Sequence, residues 1–140
     1  MMKILLVKLV LGLTCFTCFS QEVESIYRYK KVKHQIFKST KKSYLDTKFD
    51  SLVLYKNGDF YRQTSYSQFD NFGFTEQKGK WKIENKILYL ELQKKNEEIK
   101  SEWINTTGKF NYKVSERKLT PINDDIFKKY AINILKLISH

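Results

Sequence analysis

Cysteine, proline, glycine and histidine are all scarce in this chain of 140 residues. It contains two cysteines, one proline, five glycines and two histidines. Both cysteines, Cys15 and Cys18, lie within the first 20 residues. The remainder therefore has no thiol that could form a disulfide, ligate a metal or act as a nucleophile. A domain without such crosslinks must be stabilised by its own hydrophobic core.

The shortage of histidine and glycine also limits the chemistry that the chain can support. His34 lies in a basic segment and His140 is the last residue, so the sequence offers neither a two-histidine metal site nor a serine-histidine pair. No two glycines are spaced as G-x-G, which argues against a phosphate-binding loop. Two carboxylates would suffice for a glycosidase, but most carboxylates here lie at predicted turns or on polar faces. We therefore predict no metal, no cofactor and no enzymatic activity.

Long apolar runs are absent except at the amino terminus. Lys3 gives this segment a positive start, Ile4–Phe19 is mostly apolar, and Cys18-Phe19-Ser20 places small residues at the −3 and −1 positions of a cleavage site. The apolar run after Lys8 is short of the roughly 20 residues that span a bilayer. The pattern predicts a signal peptide over residues 1–20, cleaved before Gln21, and export to the periplasm or the medium.

Two alternatives to a cleaved signal peptide stay open. The segment could remain as a membrane anchor, against which its short length argues. It could also be a lipoprotein signal acylated at Cys15 or Cys18, although each cysteine follows a threonine where lipidation sites usually have glycine, alanine or serine. We rank the lipoprotein second.

Positive charge exceeds negative charge, with 26 Lys and Arg against 15 Asp and Glu and a formal net charge of +11. Removal of residues 1–20 takes away Lys3 and Lys8 and leaves 120 residues, the length of a single domain, with a net charge of +9. Such a charge permits attraction to nucleic acid, anionic lipid or acidic polysaccharide, and it also favours solubility. Because the lysines are scattered singly and in pairs, we favour the second interpretation and expect a monomer without a nucleic-acid partner.

Aromatic residues are plentiful, with 9 Tyr and 10 Phe, and this composition favours β-structure. The clearest strand pattern surrounds Asn57-Gly58. Leu52 and Leu54 share one face before this dipeptide, and Phe60 and Tyr66 alternate with polar residues after it. Asn-Gly favours a two-residue hairpin turn with positive backbone angles. We therefore predict a β-hairpin centred on Asn57-Gly58.

Further alternating segments follow at regular intervals. They contain Gly79, Trp81 and Ile83, then Leu88, Leu90 and Leu92, then Phe110, Tyr112 and Val114, and finally Leu119 and Ile122. Turns or loops are predicted at Ser67–Gly73, Glu84-Asn85, Lys94–Glu98 and Asn105–Gly108. The stretch from Gln21 to Lys48 fits one or two short strands or an irregular arm. Regularly spaced strands with short turns predict a mainly β protein, an antiparallel meander of 7 or 8 strands that forms a small barrel or half-barrel.

The carboxyl-terminal stretch has a different pattern. Asn123 can cap a helix, and Asp124 and Asp125 suit the positive end of a helix dipole. Apolar residues then recur at helical spacing, which predicts a helix over Asp124–Ile138 that packs on the sheet or over a barrel mouth. A helix broken near Ala131 and followed by a strand is the alternative.

The run Leu52–Phe60 followed by Gly79–Leu90 reads as strand, turn, strand, G-x-W and strand. This order resembles small lipocalin-like domains in exported proteins of Bacteroidota-type bacteria, and Phe19-Ser20-Gln21 is similar to the end of their signal peptides. In lipocalins G-x-W lies on the first strand, whereas Gly79-Lys80-Trp81 lies in the middle of this chain. The resemblance therefore implies a lipocalin-like β domain over residues 21–140 and structural roles only. Gly79 would allow a close approach and Trp81 would fill the core.

Together these patterns predict a binding module. The ligand would be a small apolar molecule in a barrel mouth lined by aromatics, or a protein partner at the cell envelope. Candidate surface residues are Tyr61, Tyr66, Phe72, Lys78, Lys80 and Lys82. The alternative is an interaction protein of the inhibitor or immunity type that uses the basic face formed by the three lysines.

Overall fold

The computed structural model describes residues 21–69, 71–97, 102–122 and 133–140. Eight antiparallel strands follow one another around a closed barrel, and the last strand pairs with the first. The strands are β1 (Val23–Ile36), β2 (Ser43–Tyr55), β3 (Asp59–Gln68), β4 (Asn71–Glu84), β5 (Ile87–Glu97), β6 (Ile104–Ser115), β7 (Lys118–Pro121) and β8 (Leu135–Ser139). The predicted antiparallel meander is confirmed, and the barrel closes where β8 pairs with residues 26–28 of β1. Among the described segments there is no helix long and apolar enough to cross a membrane.

The hairpin between β2 and β3 is confirmed, but its loop has three residues, Lys56, Asn57 and Gly58, rather than two. Only Gly58 has a positive φ, of 85°, which suits a three-residue loop that ends in the left-handed conformation. The Asn57 side chain accepts a hydrogen bond from the Asp59 backbone N–H at 2.9 Å. The two-residue turn lies instead between β4 and β5, where Asn85 and Lys86 both have positive φ.

Gly79 and Trp81 connect β4 to the neighbouring strands and loop. A Cβ atom at Gly79 would overlap the carbonyl oxygen of Glu91 and lie 2.8 Å from the Phe60 ring. The backbone N–H of Trp81 donates to the Gly58 carbonyl, and its indole N–H donates to the Tyr55 carbonyl, each at 2.8 Å. Trp81 therefore fastens the β2–β3 loop to β4 while its ring packs against the core.

Several predicted loops are strands in the structure. Ser67–Gly73 is mostly strand, because β3 continues to Gln68 and β4 begins at Asn71. Lys94–Glu97 belongs to β5 and Asn105–Gly108 to β6, while Glu98 lies outside the described residues. The polar residues in these segments do not alternate with apolar ones, so the sequence did not indicate strands. Backbone hydrogen bonds between neighbouring strands stabilise them nevertheless.

The predicted carboxyl-terminal helix is wrong for its last part. Leu135–Ser139 is strand β8, which pairs with β7 through Leu119 and Leu135 and with β1 through Tyr27 and Leu137. The predicted residues 124–132 lie outside the described residues, and the described part of the chain contains no helix. A short apolar run fits both helical and strand spacing. Residues 135–139 form a strand because β7 and β1 each have an edge with which they can pair.

The barrel interior has two unlike halves. At one end, which we call the packed end, lie the β2–β3, β4–β5 and β6–β7 turns; at the other, the open end, lie the β1–β2 and β3–β4 turns. Apolar side chains fill the packed end and reach the middle of the barrel: Tyr27, Leu52, Leu54, Phe60, Leu88, Leu90, Leu92, Phe110, Tyr112, Leu119 and Leu135. Burial of these residues supplies the main stabilisation of the fold. The half nearer the open end has a polar interior.

Candidate functional site

A cavity of about 460 Å³ lies at the open end of the barrel. Its lining comes mainly from β2, β3 and β4, with one residue from β6 and one from the segment before β8. The lining residues are Lys48, Phe49, Arg62, Thr64, Ser65, Tyr66, Gln68, Gly73, Thr75, Gln77, Phe110 and Asn133. This volume is within the usual range of small-molecule sites, and the lining combines aromatic, hydroxyl, amide and cationic groups.

The floor of the cavity is a buried ion pair. The guanidinium of Arg62 donates from Nε to one Asp50 oxygen at 2.9 Å and from Nη2 to the other at 2.6 Å. Both side chains are almost fully buried, and Arg62 also lies 5.3 Å from the ring centre of Phe110. Two-point hydrogen bonding of this kind fixes the orientation of both groups as well as their separation.

The surroundings of Arg62 keep it charged. Burial acts against the guanidinium charge, but Tyr112 and the Asp50 carboxylate more than offset this effect and raise the pKa of Arg62 above its ordinary value. The cavity floor therefore holds a guanidinium that is bonded to both oxygens of Asp50 rather than a free cation. It presents fixed polar groups to a ligand without exposing a net charge.

Gln77, beside this floor, has a buried side-chain oxygen, Oε1, without a hydrogen-bond partner among the described residues. Gln77 lies opposite Arg62 in the β3–β4 register. A buried carbonyl that lacks a partner costs about 1–3 kcal/mol relative to a satisfied one. Gln77 is also one of the residues that line the cavity, although its Oε1 atom is itself covered.

The rim of the cavity is built partly from aromatic rings. Tyr66 covers Gly73 on the neighbouring strand so closely that a Cβ atom at Gly73 would overlap its ring. Phe37, Tyr44 and Phe69 pack together with ring centres 4.8–5.4 Å apart. This trio joins the β1–β2 hairpin to the β3–β4 turn. The two hairpins therefore form one continuous lip at the open end.

The candidate aromatic residues do not form one surface. Tyr66 lines the cavity, whereas Phe72 is exposed on the outer wall near the open end. Tyr61 also lies on the outer wall, where its hydroxyl donates a hydrogen bond to Glu76. Burial, and then the Glu76 carboxylate, raise the pKa of Tyr61 above its ordinary value. Of these three predicted residues, only Tyr66 contributes to the cavity.

The candidate lysines Lys78, Lys80 and Lys82 alternate along the outer face of β4, as the sequence indicated. Each has a partner: Lys80 forms an ion pair with Asp59, Lys82 pairs with Glu84 at 2.9 Å, and Lys78 lies 4.1 Å from the ring centre of Trp103. Lys78 and Tyr61 also line a groove of about 460 Å³ on the outer wall. The positive charge of this face is therefore partly neutralised.

Sequence reasoning missed Asp50, Arg62 and Gln77, which form the polar base of the cavity. A signal for the first two was present. Asp50 falls on the same strand face as Leu52 and Leu54, and Arg62 on the same face as Phe60, so both were due to point into the barrel. The hairpin register then places opposite charges on adjacent strands, close enough to pair.

The described residues contain no group of three or more His, Cys, Asp or Glu side chains that could hold a metal ion.

The open-end cavity combines fixed polar groups, a partly apolar wall and an aromatic rim. Comparisons of this chain with protein-family models, with curated proteins and with solved structures found no match.

Proposed function

We propose that the protein is an exported, non-enzymatic binding module of lipocalin-like architecture that holds a small amphipathic molecule in the open-end cavity. The observation that carries this proposal is a cavity of about 460 Å³ whose lining includes Gln77, a residue with an unpartnered side-chain oxygen. A ligand that donates a hydrogen bond to this oxygen would remove the cost of leaving it unsatisfied. The polar groups of the cavity lining favour a ligand that has a polar group as well as the apolar surface expected from the sequence.

The rest of the cavity supports the same ligand class. Phe110 and Tyr66 offer apolar ring surface, and Thr64 and Thr75, which are paired across β3 and β4, offer hydroxyl groups. Lys48 lies at the mouth and suits an anionic or electron-rich end of the ligand. A molecule would therefore insert its donor-bearing end toward Gln77 and leave any anionic group at the rim.

A fluorescence titration with 1-anilinonaphthalene-8-sulfonate, an anionic amphiphile that brightens in apolar sites, tests occupancy of the cavity. Thr75→Trp should fill the cavity and reduce binding of this probe at least tenfold, because a bulky side chain would occupy the ligand volume. Thr107→Trp is the matched control, since Thr107 is exposed on the outer wall. Equal binding by the wild type, Thr75→Trp and the control would contradict the proposal.

A second test uses Gln77 itself. Gln77→Leu should raise the free energy of unfolding of the ligand-free protein by about 1 kcal/mol, since it removes an unsatisfied buried carbonyl. Molecules retained by natively purified wild-type protein, detected by native mass spectrometry, should be lost or reduced in the same variant. Gln93→Leu, at an exposed position, should change neither quantity. A wild-type protein that carries no retained molecule and a less stable Gln77→Leu variant would together refute the proposed role of Gln77.

A further inference from the structure

We propose that the open end of the barrel docks on an anionic lipid surface. The docking surface consists of the outer part of the β1–β2 hairpin, residues 30–48, together with Phe69 and Phe72 from the adjacent β3–β4 hairpin. Two independent observations support it: an accumulation of unpaired positive charge and a group of exposed apolar side chains at the same end of the molecule. The inference does not depend on the proposed ligand in the cavity.

Most of the net charge of the barrel lies in this one hairpin. Residues 30–48 contain seven lysines and one acid, Asp46, a net charge of +6 out of the +9 carried by residues 21–140. The seven are Lys30, Lys31, Lys33, Lys38, Lys41, Lys42 and Lys48. None of them forms an ion pair with another described residue, and Asp46 accepts a hydrogen bond from Gln35. By contrast, Lys56, Lys80 and Lys82 elsewhere on the barrel pair with carboxylates.

Apolar side chains are exposed beside these lysines. Ile36 is 73% exposed, Phe72 is 64% exposed and Leu45 is 48% exposed. Leu45 lies two residues from Thr47 on β2, and Thr47 pairs with Ser67, which pairs in turn with Phe72. The three side chains therefore lie along neighbouring strands at one end of the barrel. Apolar side chains grouped in this way on a surface mark an interaction site rather than chance exposure.

The combination favours a lipid bilayer over a hydrated polyanion. Nucleic acid or acidic polysaccharide would neutralise the lysines but would leave Ile36 and Leu45 in water. An anionic bilayer satisfies both groups, because lysines interact with the headgroups while apolar and aromatic side chains enter the boundary with the acyl chains. Asp70, which follows Phe69 in the sequence, lies outside the described residues and subtracts at most one charge.

Vesicle co-sedimentation of the purified exported protein, residues 21–140, tests this docking without the apolar residues 1–20. The protein should partition onto vesicles of phosphatidylcholine with about one third phosphatidylglycerol, and much less onto phosphatidylcholine alone. Lys38→Gln, Lys41→Gln and Lys42→Gln combined should weaken partitioning by about a hundredfold, since each lysine near the surface contributes about a factor of ten or less. Ile36→Ser combined with Phe72→Ser should weaken it by at least about tenfold.

The matched control combines Lys109→Gln, Lys113→Gln and Lys136→Gln, which removes the same charge from exposed positions outside the docking surface. It should retain most of the wild-type partitioning. Circular dichroism of every variant checks that the barrel is folded. Equal losses in the two lysine triples would overturn the proposal, because binding would then follow total charge alone. Retained vesicle binding by the Ile36 and Phe72 variant, with equally strong binding of a DNA oligonucleotide, would also overturn it in favour of a general polyanion site.

The outcomes of this test and of the cavity test are separable. Thr75→Trp changes the cavity and leaves the docking surface intact, so it should bind vesicles like the wild type. Lys38→Gln, Lys41→Gln and Lys42→Gln change the surface and leave the cavity lining intact. If both proposals hold, the mouth of the cavity faces the bilayer when the protein is docked.

Discussion

At the residue scale, the most informative feature is the position of Arg62 and Asp50, where the buried apolar positions Leu52 and Phe60 give way to the polar cavity lining. A buried ion pair rarely adds net stability relative to a well-packed apolar pair, because both charges lose their hydration. Its retention here is consistent with a role at the base of the cavity. Arg62 and Asp50 place fixed hydrogen-bonding groups next to the apolar core.

A double-mutant cycle measures the energetic coupling of this pair. Arg62→Met alone should destabilise the protein by about 3–5 kcal/mol, because the Asp50 carboxylate would remain buried without its partner. Asp50→Leu alone should have a similar effect. The double variant should recover most of this loss, as judged from urea-induced unfolding. Losses that simply add in the double variant would show that the two side chains do not act as a pair.

Asp59 makes the free energy of unfolding depend on pH in a defined direction. A hydrogen bond from Lys80 lowers the pKa of Asp59, burial opposes this effect, and the charge of Lys80 lowers it further. Because the folded-state pKa is depressed, the stabilisation is present above the unfolded pKa of about 4 and is lost as the pH falls through the lower, folded value. The Asp59 side chain is 29% exposed and that of Lys80 is 56% exposed, so the contribution should stay below about 1 kcal/mol.

Asp59→Asn therefore should be less stable than the wild type at pH 7 and nearly equal to it near pH 2. Urea-induced unfolding at pH 7, 5, 3 and 2 measures the difference. Glu116→Gln, at an exposed carboxylate without an ion-pair partner among the described residues, should show no comparable convergence. A constant gap between Asp59→Asn and the wild type at all four values would rule out the charge-based explanation.

At the element scale, the close pairing of β4 with β5 requires a glycine at position 79. Gly79 lies where the register between these strands shifts, and a side chain there would meet the Glu91 backbone, which cannot move aside without disturbing β5. Gly108 is a natural comparison, because a Cβ atom there would lie 3.5 Å from a Leu92 methyl group, an ordinary contact. The two glycines thus have the same chemistry but different surroundings.

Gly79→Ala should destabilise the barrel by more than about 2 kcal/mol, since the added methyl group forces the backbone apart. Gly108→Ala should be neutral or stabilising by up to about 1 kcal/mol, because alanine restricts the unfolded chain. Thermal unfolding followed by circular dichroism compares both variants with the wild type. Equal melting temperatures for the two variants would show that the close approach at Gly79 has no energetic importance.

The elements differ in how well their sequences predicted them. Leu88, Leu90 and Leu92 alternate cleanly and form a strand of the packed end, as predicted. The sequence left strands or an irregular arm open for β1 and placed Asn71–Gly73 of β4 in a loop, because Lys31, Gly73 and Thr75 do not give the apolar alternation that marks a buried face. The strand β8 was obscured because an apolar run of this length fits two periodicities.

At the scale of the whole molecule, the predicted cleavage site lies close to the first strand, β1, which begins at Val23. Gln21 donates from Nε2 to Asp59 at 3.0 Å, and the Glu22 carbonyl accepts from the Lys56 backbone N–H at 2.9 Å. Cleavage before Gln21 would leave β1 and these contacts intact. The proposed export and the proposed binding role are therefore compatible.

Intact-mass measurement of the protein recovered from the exported fraction of expressing bacterial cells should give the mass of residues 21–140. Signal peptidases require a small residue at the −1 position, so Ser20→Phe should leave the precursor uncleaved. Release of an acylated form that begins at Cys15 or Cys18 would support the lipoprotein alternative instead. A wild-type protein that retains residues 1–20 would contradict the predicted signal peptide.

The sequence by itself determined that the chain forms an antiparallel meander, including the apolar strands around Leu52, Phe60 and Leu90, because alternation of apolar residues and turn-forming residues are local properties of the chain. Gly79 and Trp81 could be assigned structural roles for the same reason. Only the tertiary structure decided that the strands close into a barrel, that Arg62 meets Asp50, and that a cavity remains above them. It also showed that the lysines of the β1–β2 hairpin lie unpaired beside exposed apolar residues. These features depend on the register between strands that are separated in sequence, which no local pattern specifies.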